Sequence, residues 1–159
     1  MSIRPSLDAT RSWVLELYGN RLDDNKQKHS EYVLQVVESL EQEFNDIECI
    51  QYEAAYLQNI MTECNVTKTE ILRKGYPKEL MTVLEVIKKP KADMSGFEYE
   101  CWVRQIIDGG NINAIRIKYA DVLTKTNVKR LTGMSKKIGF ETCRQYSASQ
   151  QMLRTSCGK

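Results

Sequence analysis

Tyr52-Glu-Ala-Ala-Tyr-Leu-Gln-Asn-Ile-Met-Thr-Glu-Cys-Asn-Val-Thr-Lys-Thr-Glu-Ile-Leu-Arg-Lys-Gly-Tyr-Pro-Lys-Glu-Leu80 holds one helix and the punctuation of two more. Ala54, Ala55, Leu57, Ile60 and Met61 place apolar groups on more than one side, so the spacing predicts a central buried helix over Tyr52–Met61. Thr67 and Glu70 stand as a capping box: the hydroxyl takes a backbone amide and the carboxylate reaches back to the cap residue. A short helix through Leu72, closed at Gly75, follows from that start. Pro77 suits a first helical turn, where its missing N–H costs nothing, and so opens a helix over Lys78–Lys88. That helix buries Leu80, Met81, Leu84 and Ile87, and Pro90 ends it.

The pattern continues outward in both directions. Val33, Val36, Val37, Leu40 and Phe44 fall on one stripe of a helix from Glu31 to Phe44, with Glu38, Glu41 and Glu43 off it. Phe97, Trp102, Val103, Ile106 and Ile107 give another helix, stopped by Gly109-Gly110. Ile112, Ile115, Ile117, Ala120, Val122 and Leu123 make a further helix that is apolar on several sides. After Gly133 the chain turns basic and predicts an amphipathic helix around Glu141–Leu153. No segment keeps period-2 alternation, and no internal repeat or interdomain linker interrupts the order. The expectation is an all-α single domain over 1–159, a bundle of about seven or eight helices. At 159 residues and 18.4 kDa, the chain is long enough to bury a core.

Charge is balanced overall and divided locally. The formal charge is +2, yet residues 113–159 carry ten basic and two acidic groups, while no Lys or Arg occurs from His29 to Thr67. A near-neutral chain in which aromatic and basic residues do not interleave argues against nucleic acid as a partner. No apolar run is long enough for a membrane span, and Met1–Thr10 lacks the apolar centre of a signal peptide. Five cysteines (Cys49, Cys64, Cys101, Cys143 and Cys157), odd in number and scattered, suit reduced thiols and a cytoplasmic setting.

The stretch Ala54–Leu80 resembles the second motif region of HD-domain phosphohydrolases, in the branch that contains (p)ppGpp hydrolase domains. That family typically reads A-A-x-L-H-D-x-x-E-D-x-x-V-T-x-E-x-L-x-x-x-G-F-P-x-E. His29, in Lys-His-Ser-Glu-Tyr-Val-Leu, matches the first-motif histidine. Ile117-Lys-Tyr-Ala-Asp-Val-Leu-Thr-Lys-Thr-Asn is similar to the last motif, with Asp121 in the aspartate position. Tyr99-Glu-Cys-Trp-Val-Arg-Gln-Ile resembles the intervening Y-x-x-Y-I-x-R-I helix. The resemblance spans residues 8–131 in order and spacing, leaves 134–159 as a basic C-terminal helix, and implies an HD-like helical fold.

It also implies a divalent metal on the first-motif histidine, the His-Asp pair and the final aspartate, and here the chain departs. The His-Asp pair aligns with Gln58-Asn59, and the family's Glu-Asp pair aligns with Thr62-Glu63. Neutral amides are poor substitutes for an imidazole and a carboxylate on a transition metal. Only His29 and Asp121 remain, and they are metal ligands only if a residual site survives; the chain has no second histidine to step in. Without a metal, the means of generating hydroxide near neutral pH is gone.

The expectation is therefore a catalytically degenerate HD-domain protein with no cofactor. It would bind a phosphorylated nucleotide or a macromolecular partner in a regulatory or inhibitory role. The ligand pocket is read as His29, Gln58, Asn59, Glu63, Tyr99, Lys118, Asp121 and Lys125. Within it, Gln58 and Asn59 would form a neutral polar network and Asp121 would pair with His29. Thr62 would bond its own backbone. Tyr99 and Trp102 would fill the core, or stack on a base. Arg116, Lys118, Lys125 and Lys129 would flank the mouth and attract an anion, or form a solvated face together with Arg130, Lys136 and Lys137. The alternative is an HD-type phosphohydrolase with a remodelled site, with Glu63 as base and Mn²⁺ or Mg²⁺ on few carboxylates. The acidic stretch from His29 to Thr67 could meet a basic protein partner or the basic tail of a second copy, giving a homo-oligomer.

Overall fold

A computed structural model describes residues 3–23, 26–131 and 134–159, without the side chains of Val128 and Lys129. The helices are α1 (Leu7–Tyr18), α2 (His29–Glu43), α3 (Cys49–Leu57), α4 (Ile60–Glu63), α5 (Lys68–Arg73), α6 (Lys78–Ile87), α7 (Gly96–Gly109), α8 (Ile112–Lys125), α9 (Val128–Leu131) and α10 (Lys136–Ser156). Eight of them run to six residues or more, so the all-α reading and its count of helices hold. Among the described residues, β-pairing is confined to one antiparallel bridge between Leu22 and Lys28. No helix of the described residues is long and apolar enough to cross a membrane.

The fold is organised around α8. Ala114, Ile115, Ile117, Tyr119, Ala120 and Val122 are all buried, which is why the segment is apolar on several sides rather than on one stripe. It packs against α2, α3, α6, α7 and α10. The predicted stripe of α2 faces inward as Val33, Val36, Val37 and Leu40, and the α6 residues Leu80, Met81, Leu84 and Ile87 close the opposite side. Each such side chain, fully withdrawn from water, contributes about 1.5–3 kcal/mol. At the N-terminal end, the Arg4 guanidinium makes two hydrogen bonds to the fully buried Glu53 carboxylate, one of them 2.9 Å from Nε. The segment at Ile3 and Arg4 thus reaches α3, and Gly75 takes a positive φ of 102° beside it. A Cβ there would meet the Ile3 carbonyl oxygen at 2.5 Å.

Three local expectations are corrected and one helix is added. The helix expected over Tyr52–Met61 is two helices, α3 and α4, broken at Gln58-Asn59. Asn59 sits at φ −115°, ψ 2°, a conformation that its short amide side chain tolerates better than most. At α5 the Thr67 hydroxyl does accept the Glu70 amide at 3.1 Å, but the Glu70 carboxylate meets that hydroxyl instead of the Thr67 backbone. The complete capping box lies at Ser95 and Glu98, opening α7. Helix α10 is longer than Glu141–Leu153: Ser135 caps it at the Ile138 amide, 3.2 Å away. Its first turns carry exposed Ile138 and Phe140, so no core-facing stripe announces them. Helix α1 is an addition, capped by Ser6 on the Ala9 amide, with Thr10, Val14 and Tyr18 inward.

Candidate functional site

Helix α8 carries Lys118, Asp121 and Lys125 at i, i+3 and i+7, one face of the helix. The Lys118 Nζ lies 3.0 Å and the Lys125 Nζ 2.8 Å from Asp121 Oδ2. The Tyr32 hydroxyl, from α2, donates to Asp121 Oδ1. Burial alone would raise the Asp121 carboxyl, but the two ammonium groups override it and hold the group well below the usual carboxylate range. Burial and the Asp121 charge together push the Tyr32 phenol well above its ordinary value. Burial would lower the Lys125 ammonium, yet Asp121 keeps it well above the usual lysine range. Lys118 is further held over the Trp102 ring, 4.3 Å from its centroid. The result is a fully ionised internal cluster, cation–carboxylate–cation, with both carboxylate oxygens engaged.

The second cluster forms where α2 begins. His29 Nδ1 lies 2.8 Å from Glu63 Oε2. The Tyr18 ring stacks on the imidazole, 5.3 Å between centroids and 9° between planes. Arg21 donates to the Glu63 backbone carbonyl and fixes the end of α4. Burial, then the nearby Glu63 charge, raises the Tyr18 phenol far above its ordinary value. The break at Gln58-Asn59 serves this geometry. The Asn59 carbonyl accepts the Glu63 amide at 2.9 Å and the Thr62 hydroxyl at 3.2 Å, so the one-turn helix α4 delivers Glu63 to His29.

A cavity of about 540 Å³ joins the two clusters. His29, Tyr32, Asn59, Glu63, Lys89, Lys125, Arg130 and Tyr146 line it. Asp23 and the α10 residues Ile138, Thr142 and Gln145 complete its rim. Arg130 bonds Asp23 at 2.6 Å, and its guanidinium carbon sits 4.5 Å from the Tyr32 ring centroid. Burial, Lys125 and Lys118 all lower the Lys89 ammonium, which places three lysines within one another's field at this end.

Of the residues read as a pocket, His29, Asn59, Glu63 and Lys125 line the cavity. Lys118 and Asp121 are buried behind its floor, and Tyr99 and Trp102 are core residues, packed edge to face at 5.4 Å. The expected pairing of Asp121 with His29 is not made, because Asp121 is neutralised on its own helix and by Tyr32 while His29 turns to Glu63. The expected Gln58–Asn59 network is not made either: Gln58 Nε2 is buried without a hydrogen-bond partner among the described residues. Thr62 bonds its own backbone, as its position in a helix predicts. Arg116 does not flank the mouth; it bonds Asp46 at 3.0 Å and covers the Phe44 ring. The Lys129 side chain lies outside the described residues. Asp23, Tyr32, Lys89 and Tyr146 escaped the sequence reading. Tyr32 alone carried a signal, one helical turn beyond His29 on the same face.

The family's metal does not fit these residues. Both Asp121 oxygens are already bonded to protein donors, and Gln58 offers an amide. Among the described residues, no group of three or more His, Cys, Asp or Glu side chains is placed to hold a metal ion. No protein-family model and no curated protein matches the chain.

Proposed function

We propose that the chain is a degenerate HD-domain-like protein that binds a phosphorylated nucleotide in the cavity between α2, α8 and α10, in a regulatory role. One observation supports the reading: Lys89, Lys125 and Arg130 line the same cavity as Asn59, Glu63 and His29. The cationic groups suit phosphate oxygens, and Arg130 brings a planar fork of donors. The Asn59 and Glu63 oxygens suit the N–H and O–H donors of a nucleoside. A volume of about 540 Å³ is within the range of small-molecule sites. Lys118 and Lys125 supply the charge that a metal would otherwise bring to Asp121.

Thermal unfolding with guanosine 5′-diphosphate 3′-diphosphate, GDP, guanosine and inorganic phosphate tests this. A ligand at 100 times its dissociation constant adds about 2.7 kcal/mol, a rise in Tm of roughly 5–10 °C for a chain of this length. The expected order places the phosphorylated nucleotides above inorganic phosphate and phosphate above guanosine, with the shift reduced in Lys89→Ala. No shift with any of the four at millimolar concentration would reject the reading in favour of a protein partner. Stoichiometric manganese, zinc or iron in protein purified without chelator would instead favour the hydrolase.

A further inference from the structure

We propose that His29 is a phosphoryl-accepting nucleophile, positioned by Glu63, in a site that works without a metal. The inference rests on the reading of the cavity as an anion site and adds a covalent step to it. Three placements carry it. First, Glu63 Oε2 lies 2.8 Å from His29 Nδ1, which leaves Nε2 as the ring nitrogen away from the carboxylate. This is the arrangement of a nucleophile oriented by an anionic partner. Second, the Tyr18 ring, parallel to the imidazole within 9°, fixes the plane in which that lone pair lies. Third, Tyr32, one turn along α2, is bracketed by the guanidinium of Arg130 and by Lys125 through Asp121. Arg130 and Lys125 therefore line the same cavity as the imidazole.

Phosphoryl transfer passes through a loose transition state that asks little of the nucleophile and much of charge neutralisation and alignment. An imidazole held by the Tyr18 ring in a cavity lined by Lys89, Lys125 and Arg130 provides both. In the step, the Nε2 lone pair forms a bond to phosphorus as the bond from phosphorus to the leaving group breaks. The electron pair departs with the leaving group, which is protonated by water. The Nδ1 proton stays on the ring, where Glu63 offsets the new positive charge. Attack by water on the phosphoimidazole would return His29 and release inorganic phosphate.

The single histidine makes the test unambiguous. Phosphoramidate, whose phosphorus–nitrogen bond breaks with loss of ammonia, is the donor, with EDTA present and intact mass as the readout. Wild type is expected to gain one acid-labile group of about 80 Da, located on His29 by fragmentation of the wild-type protein itself. His29→Gln, with circular dichroism matching wild type, is expected to gain none. Glu63→Gln should slow the gain about tenfold or more, and Glu63→Asp should recover part of that loss, which loss of packing alone would not. A modified lysine in place of His29, or equal gain in His29→Gln, overturns the proposal. If wild type stays unmodified while inorganic phosphate still raises its Tm, the nucleophile fails and the anion site stands. If neither occurs, both fail.

Discussion

Replacing Asp121 with asparagine tests whether the internal ion cluster is a structural substitute for a bound cation. The carboxyl side chain is 3% exposed and that of Lys118 5%, so neither can reach water without opening the core. The amide would keep the volume and remove the charge, leaving two ammonium groups facing each other across a neutral side chain. Breaking a buried pair by removing one partner costs about 3–5 kcal/mol, because the remaining charge is left uncompensated. Lys125 is 26% exposed and can turn toward the cavity, so Lys118 sets most of the penalty. On a chain of this size the loss is a fall in Tm of roughly 6–20 °C. Urea denaturation at pH 7 is the assay. Lys118→Met alone should cost about 1 kcal/mol or less, since Lys125 still neutralises Asp121 and a methionine fits beside Trp102. The double variant Asp121→Asn/Lys118→Met should recover much of the single variant's loss. The pH dependence has a definite sign. The folded-state carboxyl lies well below its unfolded value of about 3.9. Its contribution is therefore complete above that value and is lost as pH falls toward the folded one. The gap between wild type and Asp121→Asn should hold from pH 7 to 5 and narrow below about pH 4. An Asp121→Asn protein within about 1 kcal/mol of wild type at pH 7 would refute the reasoning, since it would mean the lysines find water where the fold gives them none.

Two further substitutions probe the site's surroundings. Gln58→Leu removes a buried amide nitrogen that bonds nothing among the described residues, so it should be neutral or stabilising by up to about 1 kcal/mol in urea; a loss larger than that would mean the amide is satisfied in solution. Gly75→Ala forces a Cβ into a positive-φ position and against the Ile3 carbonyl, and should cost about 1–3 kcal/mol by the same measurement. A loss under about 0.5 kcal/mol would refute both the backbone strain at Gly75 and the close approach of Ile3.

Most helices with one-sided or complete burial were readable, α1 being the exception because its inward face is only Thr10, Val14 and Tyr18. The stripe of α2 and the all-round apolar character of α8 both follow directly from which neighbours surround them. The break between α3 and α4 was not readable from hydrophobicity, because Leu57 and Ile60 are both fully buried and preserve the helical phase across it. The signal there is chemical: two adjacent amide residues, the second able to hold the turn that presents Glu63. The first turns of α10 were hidden for the opposite reason. They bury little, and their role is to wall the cavity with Ile138 and Thr142.

The basic C-terminal third needs the most reinterpretation. Read along the chain, its ten basic groups suggest a strongly attractive surface for anions. In the fold, much of that charge is already committed. Lys118 and Lys125 share Asp121, Arg116 holds Asp46, and Arg130 holds Asp23. An incoming phosphate must therefore compete with, or be added to, ion pairs the protein has already made. Its affinity depends on the two groups that can turn toward it at least cost, Lys89 at the rim and the partly exposed Lys125. The i, i+3, i+7 spacing of Lys118, Asp121 and Lys125 along α8 carries their shared face, although the sequence reading paired Asp121 with His29 instead. What it could not say is which of them faces the core, because that depends on Tyr32 arriving from α2 with a hydroxyl for the second carboxylate oxygen. The same contact explains why the site can hold two positive charges in the interior: the carboxylate between them is fully ionised and fully bonded.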